Sequence, residues 1–409
     1  MSRLVGSYLV TGVAGAVLLP FITPVLSSRG FSPEDIGLLL AVASVAVVVI
    51  VPTWGYFGDS LAGHRRALQG LVLLSSLAAL GLGTPLALPL VGAALVCWYS
   101  LQAGIPALLD AIAMDALGGR RDTYGRLRLL QSLSFAVVVF ALGVLYNQTG
   151  YGASYLVYAL TAAAVVASVE ALPDRPRGAS FRDIGVGDTA TSTPFDPDAS
   201  SFSSGPLGNA ARYRISVGAI DAESRTSPQL RGALAAVFVT SIGVFAASSF
   251  LPLRMHQLGA APSIIALSAT VSALFEIPMM LLGQRLAAAL GLRGLFGLGC
   301  MMYILAAAAW VTVDDPMQLM ATRAVSGLGY GAFTVSSVVA VSRILPAEYQ
   351  ASGQALRQSA ISAGAVLGSL GGGLVYGRLG AATFFAMAAC LPIFGATLGL
   401  RWLPARDHR

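Results

Sequence analysis

Glu276 is the acid in this sequence whose setting most suits chemistry. It stands in Leu274-Phe275-Glu276-Ile277-Pro278, inside a long apolar run. A carboxyl removed from water responds strongly to any proton or polar solute brought to it, so it is a candidate for binding either. The alternative is a structural acid, paired with an arginine or held by hydrogen bonds. Arg323 is the matching cation, in Thr322-Arg323-Ala324-Val325-Ser326. A guanidinium stays charged and must be paired when it leaves water. Arg323 therefore holds an anionic group of a solute or neutralises Glu276. Asp110 and Arg128 are a second acid and base in neighbouring apolar runs, with Asp115 about a turn beyond Asp110. They suit a cross-helix ion pair, static or dependent on conformation. Tyr99, Gln102, Gln131, Tyr330 and Gln358 also sit within apolar runs, and each is a candidate for lining a cavity.

Other chemistries find little support. His64, His256 and His408 have no metal-binding companions, and Cys97, Cys300 and Cys390 have no metal or disulfide spacing. The cysteines read as small core residues. All 25 basic residues are arginine, so there is no Gly-rich phosphate loop with its lysine, as an ATP-driven pump needs. No nucleophile–base pair suggests an enzyme. No cofactor and no metal are expected.

The elements that must position these residues follow from composition. Of 409 residues, 56% are hydrophobic and 11% charged, and the mean hydropathy is +0.75. A soluble domain carries about 25% charged residues, so there is too little polar surface here to clothe a water-soluble core. Many apolar runs approach the ~20 residues a helix needs to cross ~30 Å of hydrocarbon. Twelve spans are expected, near 5–27, 36–57, 67–83, 86–112, 126–147, 152–172, 232–253, 262–289, 292–313, 317–342, 354–376 and 381–403. The first is too long for a signal-peptide core of ~7–15 residues. Glu276 lies about 14 residues into the eighth, roughly 21 Å along its axis and near mid-membrane.

Residues 173–230 are the one long polar stretch, rich in Asp, Arg, Ser, Gly and Pro. They read as a mostly disordered linker, because such a composition buries too little apolar area to offset chain entropy. The expected organisation is an all-α membrane protein: a six-helix bundle over 1–172, the linker on the cytoplasmic side, and a second six-helix bundle over 231–409. Equal helix numbers imply an internal repeat about an axis along the membrane normal, with a solute site between the halves. With the N-terminus inside, the inner loops collect most arginines and the outer side only Arg29, Arg254 and Arg378. That asymmetry predicts cytoplasmic termini. The net charge of +6 is thus a topology signal and not a nucleic-acid footprint.

Local signals agree. Ser32-Pro33-Glu34-Asp35 reads as an N-cap, a first-turn proline and an acid at N3, and Asp315-Pro316 opens the tenth span in the same way. Gly364, Gly368 and Gly372, then Gly373 and Gly377, form a small-residue row that suits close helix packing, or smooth contacts that permit sliding.

With these residues in view, the chain resembles the major facilitator superfamily over its whole length. The loop Gly55-Tyr56-Phe57-Gly58-Asp59-Ser60-Leu61-Ala62-Gly63-His64-Arg65-Arg66 is similar to that superfamily's signature loop. It departs in having Ser60 at a usually basic position and one extra residue before Gly63. The resemblance implies an inner-side latch, holding the outward-open state, from Gly55, Asp59, Gly63, Arg65 and Arg66. Pro106 to Asp110 with Tyr124 to Leu129, and Pro346 to Gln354 with Gly368 to Tyr376, resemble the branch that includes lactose permease, phenylpropionate permease and nucleoside–proton symporters. That branch implies an acid in the eighth helix used in substrate binding or proton coupling, like Glu276, and substrate-site residues at the positions of Asp110 and Arg128. Arg323 is a departure, because lactose permease has a histidine in that helix and a permanent cation cannot relay a proton. The fifth span also lacks the Gly-Pro-rich pattern of drug–proton antiporters.

The expected function is secondary transport of a small organic solute by alternating access, with protons as the coupling ion in symport. The expected setting is a monomer in the lipid bilayer of the cell membrane. An exporter or antiporter of the same fold and a non-transporting sensor that retains it are the alternatives.

Overall fold

A computed structural model describes residues 2–57, 63–84, 87–117, 121–170, 172, 227–345 and 350–405. Among them every regular element is a helix: α1 (Ser2–Leu18), α2 (Ile22–Ser28), α3 (Pro33–Phe57), α4 (His64–Gly83), α5 (Leu88–Leu117), α6 (Arg121–Thr149), α7 (Ala153–Glu170), α8 (Pro228–Gln257), α9 (Pro262–Thr312), α10 (Pro316–Ile344) and α11 (Gln350–Trp402). Helices satisfy their own backbone groups, as a lipid environment without water demands.

Ten of these segments are long and apolar enough to cross a membrane, by length and composition alone. A total of twelve further requires the 25-residue α3 and a division of the last segment, Leu356–Trp402, at Gly380. The first span bends where the sequence suggested one continuous rod. A 3-10 turn, Leu19–Phe21, separates α1 from α2, because Pro20 has no N–H to give an α-helical ladder. α9 and α11 each turn sharply, at Gly291 (φ 73°) and Gly380 (φ 83°), a few residues past the expected span ends at 289 and 376. The helix after the linker starts at Pro228, ahead of the expected boundary at 231, because Ser227 Oγ accepts a hydrogen bond from Leu230 N at 3.4 Å.

Both predicted caps form. Ser32 Oγ accepts from Asp35 N at 3.1 Å while Asp35 Oδ2 accepts from Ser32 N at 3.3 Å, and Asp315 Oδ1 accepts from Gln318 N at 2.8 Å. The apolar surplus faces outward: Leu281 is 76% exposed and Leu77 65%. Such a surface suits lipid. Cys97 and Cys390 belong to it. The expectation of three core cysteines holds only for buried Cys300.

The helices before residue 173 pack as one group, α1 on α6 and α7, α5 on α3 and α4, and α4 on α7. Those after 227 form another, α8 on α11, and α9 on both α10 and α11. The six positive-φ glycines fall in matching places in the two groups: Gly30 and Gly259, Gly63 and Gly291, Gly150 and Gly380. The first pair is followed three residues later by a helix-opening proline, Pro33 or Pro262.

The groups meet along two seams, α3 with α11 and α6 with α9. A Cβ on Gly37 would stand 2.5 Å from Ser369 O and 2.7 Å from Gly373 Cα, and one on Gly377 would strike the Glu34 carboxylate. Along the other seam Asn147 Nδ2 donates to Ser263 Oγ at 2.8 Å, Ser263 N donates to Asn147 Oδ1 at 3.0 Å, and Thr270 Oγ1 donates to Ala136 O at 2.9 Å. Among the described residues, the hydrogen bonds joining the groups all lie toward the end where α3 and α9 begin. The glycine row divides its work: Gly364 and Gly368 receive α8, while Gly373 and Gly377 receive α3.

Candidate functional site

Two prolines mark the helices that shape the space between the groups. Pro106 in α5 cannot donate to the Gln102 carbonyl, and Pro278 in α9 cannot donate to that of Leu274. Gln102 and Glu276 stand beside these interrupted ladders. Against Glu276, α10 comes close through Gly327 and Gly331. A Cβ on Gly327 would clash with Ser272 O, and one on Gly331 would lie 3.0 Å from Glu276 O. Arg323, Gly327 and Tyr330 share one face of α10 at helical spacing, so the glycine contacts bring Arg323 and Tyr330 alongside Glu276.

A cavity of about 590 Å³ lies between the groups. The first group lines it with Thr11, Ser44, Tyr99, Gln102, Gln131 and Ser132, the second with Phe245, Glu276, Gln358 and Ser362, among others. A smaller lobe of about 290 Å³ adjoins it, sharing Leu19, Phe135, Phe245, Ala273 and Glu276 as walls. Ser248, Ser272, Tyr303, Arg323 and Tyr330 complete the lobe.

Glu276 thus faces both spaces. Among the described residues it makes no hydrogen bond and no ion pair, so Arg323 does not neutralise it here. The Arg323 guanidinium makes one long hydrogen bond, to Ser326 Oγ at 3.4 Å, and its Nε is buried without a partner. Gln102 is oriented from behind: Tyr158 OH donates to its Oε1 at 2.5 Å, and Tyr158 OH lies 3.0 Å from Ser75 Oγ. With the carbonyl occupied, the amide NH2 is what Gln102 offers.

The five expected lining residues all border this space, Tyr99, Gln102, Gln131 and Gln358 on the larger cavity and Tyr330 on the lobe. Asp110 lines neither. Tyr8 OH donates to its Oδ1 at 2.7 Å, within the first group. Arg128 lies on α6, with its side chain outside the described residues. Of the implied latch, Asp59 lies outside the described residues, Gly55 ends near the last turn of α3, and Gly63 opens α4 with φ 82°. Arg65 donates to Glu170 O at 3.1 Å and pairs with Glu170 Oε1 at 3.9 Å, at the end of α7, and Arg66 is exposed.

Tyr303, Ser248 and Arg357 were not singled out by the sequence. Arg357 of α11 donates to Gln354 Oε1 at 2.9 Å and to Ser337 Oγ of α10 at 3.4 Å. Its place two turns into a helix beside Gln358 was the available signal.

A profile of the MFS_1 like family matches residues 1–387. The maltose permease of Geobacillus stearothermophilus is 24% identical over 357 residues, which is 85% of this chain and 80% of that one. The uncharacterized transporter YwbF of Bacillus subtilis (strain 168) is 25% identical over 148 residues, 36% of this chain and 37% of that one. Among solved structures, the nucleoside transporter NupG superposes with a TM-score of 0.74 at 13% identity, over 98% of both chains. A bacterial homolog of the human lysosomal transporter Spinster, inward-facing and unoccupied, gives 0.69 at 13% identity, over 98% of this chain and 95% of that one. With regular structure that is all helical among the described residues and a cavity between two helix groups, the chain belongs to the MFS_1 like family and is a membrane transporter of the major facilitator type.

Proposed function

We propose that the chain is a secondary transporter that takes up a small organic solute by symport with protons, working by alternating access. The observation that carries this reading is Glu276, an acid without a partner on the wall shared by both lobes of the central cavity. A carboxyl so placed faces the solute and takes up a proton from the water that fills the open cavity, so the two bindings are linked. The maltose permease and nucleoside transporter similarities favour a polar organic solute.

The two rocking units are the bundles over 1–172 and from Pro228 onward, joined by a cytoplasmic linker, and the paired glycine turns support that division. Both termini lie in the cytoplasm of a cell-membrane monomer, as the arginine distribution favours. In that orientation the seams close the outer end, and the cavity belongs to an inward-open state. Asp59, Arg65 and Arg66 form the opposite, inner latch.

Uptake into liposomes under an imposed pH gradient tests the coupling. Wild type concentrates solute when the gradient is present and ceases when it is collapsed. Glu276→Gln retains solute exchange and loses the response to pH. Wild-type, pH-driven uptake by Glu276→Gln would remove Glu276 from the coupling step.

A further inference from the structure

We propose that the smaller lobe is a carboxylate subsite, so that the transported solute is an organic acid whose carboxylate is held by Arg323. The inference rests on the transporter reading only for the word solute; the subsite is defined by its own atoms.

A guanidinium has five N–H donors and no means of losing its charge. That of Arg323 spends one, on a 3.4 Å bond to Ser326 Oγ, and keeps a buried Nε with no acceptor. An unpaired charge so placed costs several kcal/mol, so the lobe as it stands lacks an anion. The nearby acids do not supply one. Glu276 borders the lobe without pairing with Arg323. Asp315 caps α10 through Gln318 N, Asp314 pairs with Arg254 at 2.5 Å, and Asp110 is engaged with Tyr8.

The remaining polar groups of the lobe suit an oxyanion. Ser248, Tyr303 and Tyr330 line the lobe together with Arg323 and carry hydroxyls. A carboxylate matches the planar fork of arginine with two parallel hydrogen bonds. Its single charge also equals that of Arg323, the one cationic side chain lining the lobe among the described residues, whereas a phosphate dianion would leave an excess negative charge facing Glu276. A carboxylate fills only part of about 290 Å³, and the rest of the molecule extends past Glu276 into the 590 Å³ cavity.

The test uses the full chain in detergent and 2,3-butanedione, an arginine reagent about the size of lactate. Modification of Arg323 is followed by peptide mass spectrometry with lactate, lactamide or inorganic phosphate at equal millimolar concentration. Lactate is expected to slow the modification by about threefold or more relative to lactamide, because only the acid makes the charge-assisted pair. Arg254 in the same digest serves as the control that does not respond. In parallel, lactate raises the melting temperature of wild type, and Arg323→Gln removes that shift while Arg323→Lys keeps part of it. Equal protection by lactate and lactamide, no protection by either, or an Arg323 that butanedione never reaches each overturns the subsite. Stronger protection by phosphate overturns it in favour of a phosphate ligand. Protection by lactate without pH-driven flux in liposomes keeps the subsite and removes the proton-symport reading. Flux without protection does the reverse.

Discussion

The wall that α1, α3, α5 and α6 present to the cavity and the wall that α8, α9, α10 and α11 present are made of different chemistry. The first offers hydroxyls and amides, and part of these is tied into its own group: Thr11 donates to Ser7 O, Ser44 to Leu40 O, and the Gln102 carbonyl is held through Tyr158 to Ser75. Asp110 of α5 does not line the cavity; its Oδ1 accepts from Tyr8 OH within the first group. The second wall offers Glu276 and Arg323, whose bonding capacity is largely unspent. A satisfied neutral wall can orient a solute without depending on it. An unsatisfied charged wall gains most when cargo or proton arrives, so its state is what cargo changes. On the proposed function, two groups of helices with matching backbone turns carry unequal side-chain duties.

The largest expected effect separates the walls directly. Arg323→Ala should lower initial transport rates by about 10- to 150-fold, the equivalent of a lost hydrogen bond to a charged group. Gln102→Ala should cost only about 2- to 12-fold, the range for a neutral one. Both are read as initial uptake in liposomes, on protein matched for monodispersity. Equal losses at the two positions would show that the walls share one duty.

A second comparison concerns the seams. Gly37 and Gly373 touch across the groups, while Gly371, on the same helix as Gly373, has open space where a Cβ would stand. Gly373→Val should disfavour the closed end by about 1–3 kcal/mol, the usual cost of overpacking. That is enough to invert a two-state equilibrium of similar size. Spin labels placed across the closed end should report a longer mean distance for Gly373→Val and an unchanged one for Gly371→Ala. If both behave alike, contact at Gly373 does not set the state.

Much of the fold was legible because lipid imposes simple rules. Apolar runs of bilayer length and the Ser32 and Asp315 caps all act locally. Glu276 and Arg323 were legible for the same reason, since a charge in an apolar run must have a use or a partner. What the sequence hid was direction around the helix axis. Asp110 looked like a site residue by position, yet it faces Tyr8 of α1, a contact 102 residues away in the chain. Ser248 and Tyr303 reach the lobe from α8 and α9, and Tyr303 packs where a Cβ on Gly329 of α10 would come within 3.0 Å of its ring. Cys97 and Cys390 were misplaced because in a membrane protein an apolar run does not tell core from lipid face.

The smallest effect on transport, and the one that sharpens the contrast most, belongs to Asp110 and Tyr8. If the first wall is neutral by construction, their bond is structural. Tyr8 is fully buried, and its hydroxyl donates to a carboxylate at 2.7 Å. Tyr8→Phe removes that donor while keeping the ring. It should lower stability by about 1.5–3 kcal/mol, the worth of a hydrogen bond to a charged group. Asp110→Asn should cost a similar amount, and the double variant less than the sum, because the two side chains share one interaction. Thermal unfolding in detergent measures all three. Per folded molecule, transport by Tyr8→Phe should match wild type, including its response to pH. A Tyr8→Phe protein that keeps its stability but loses pH-driven uptake would return Asp110 to the transport pathway and place a charge on the first wall after all.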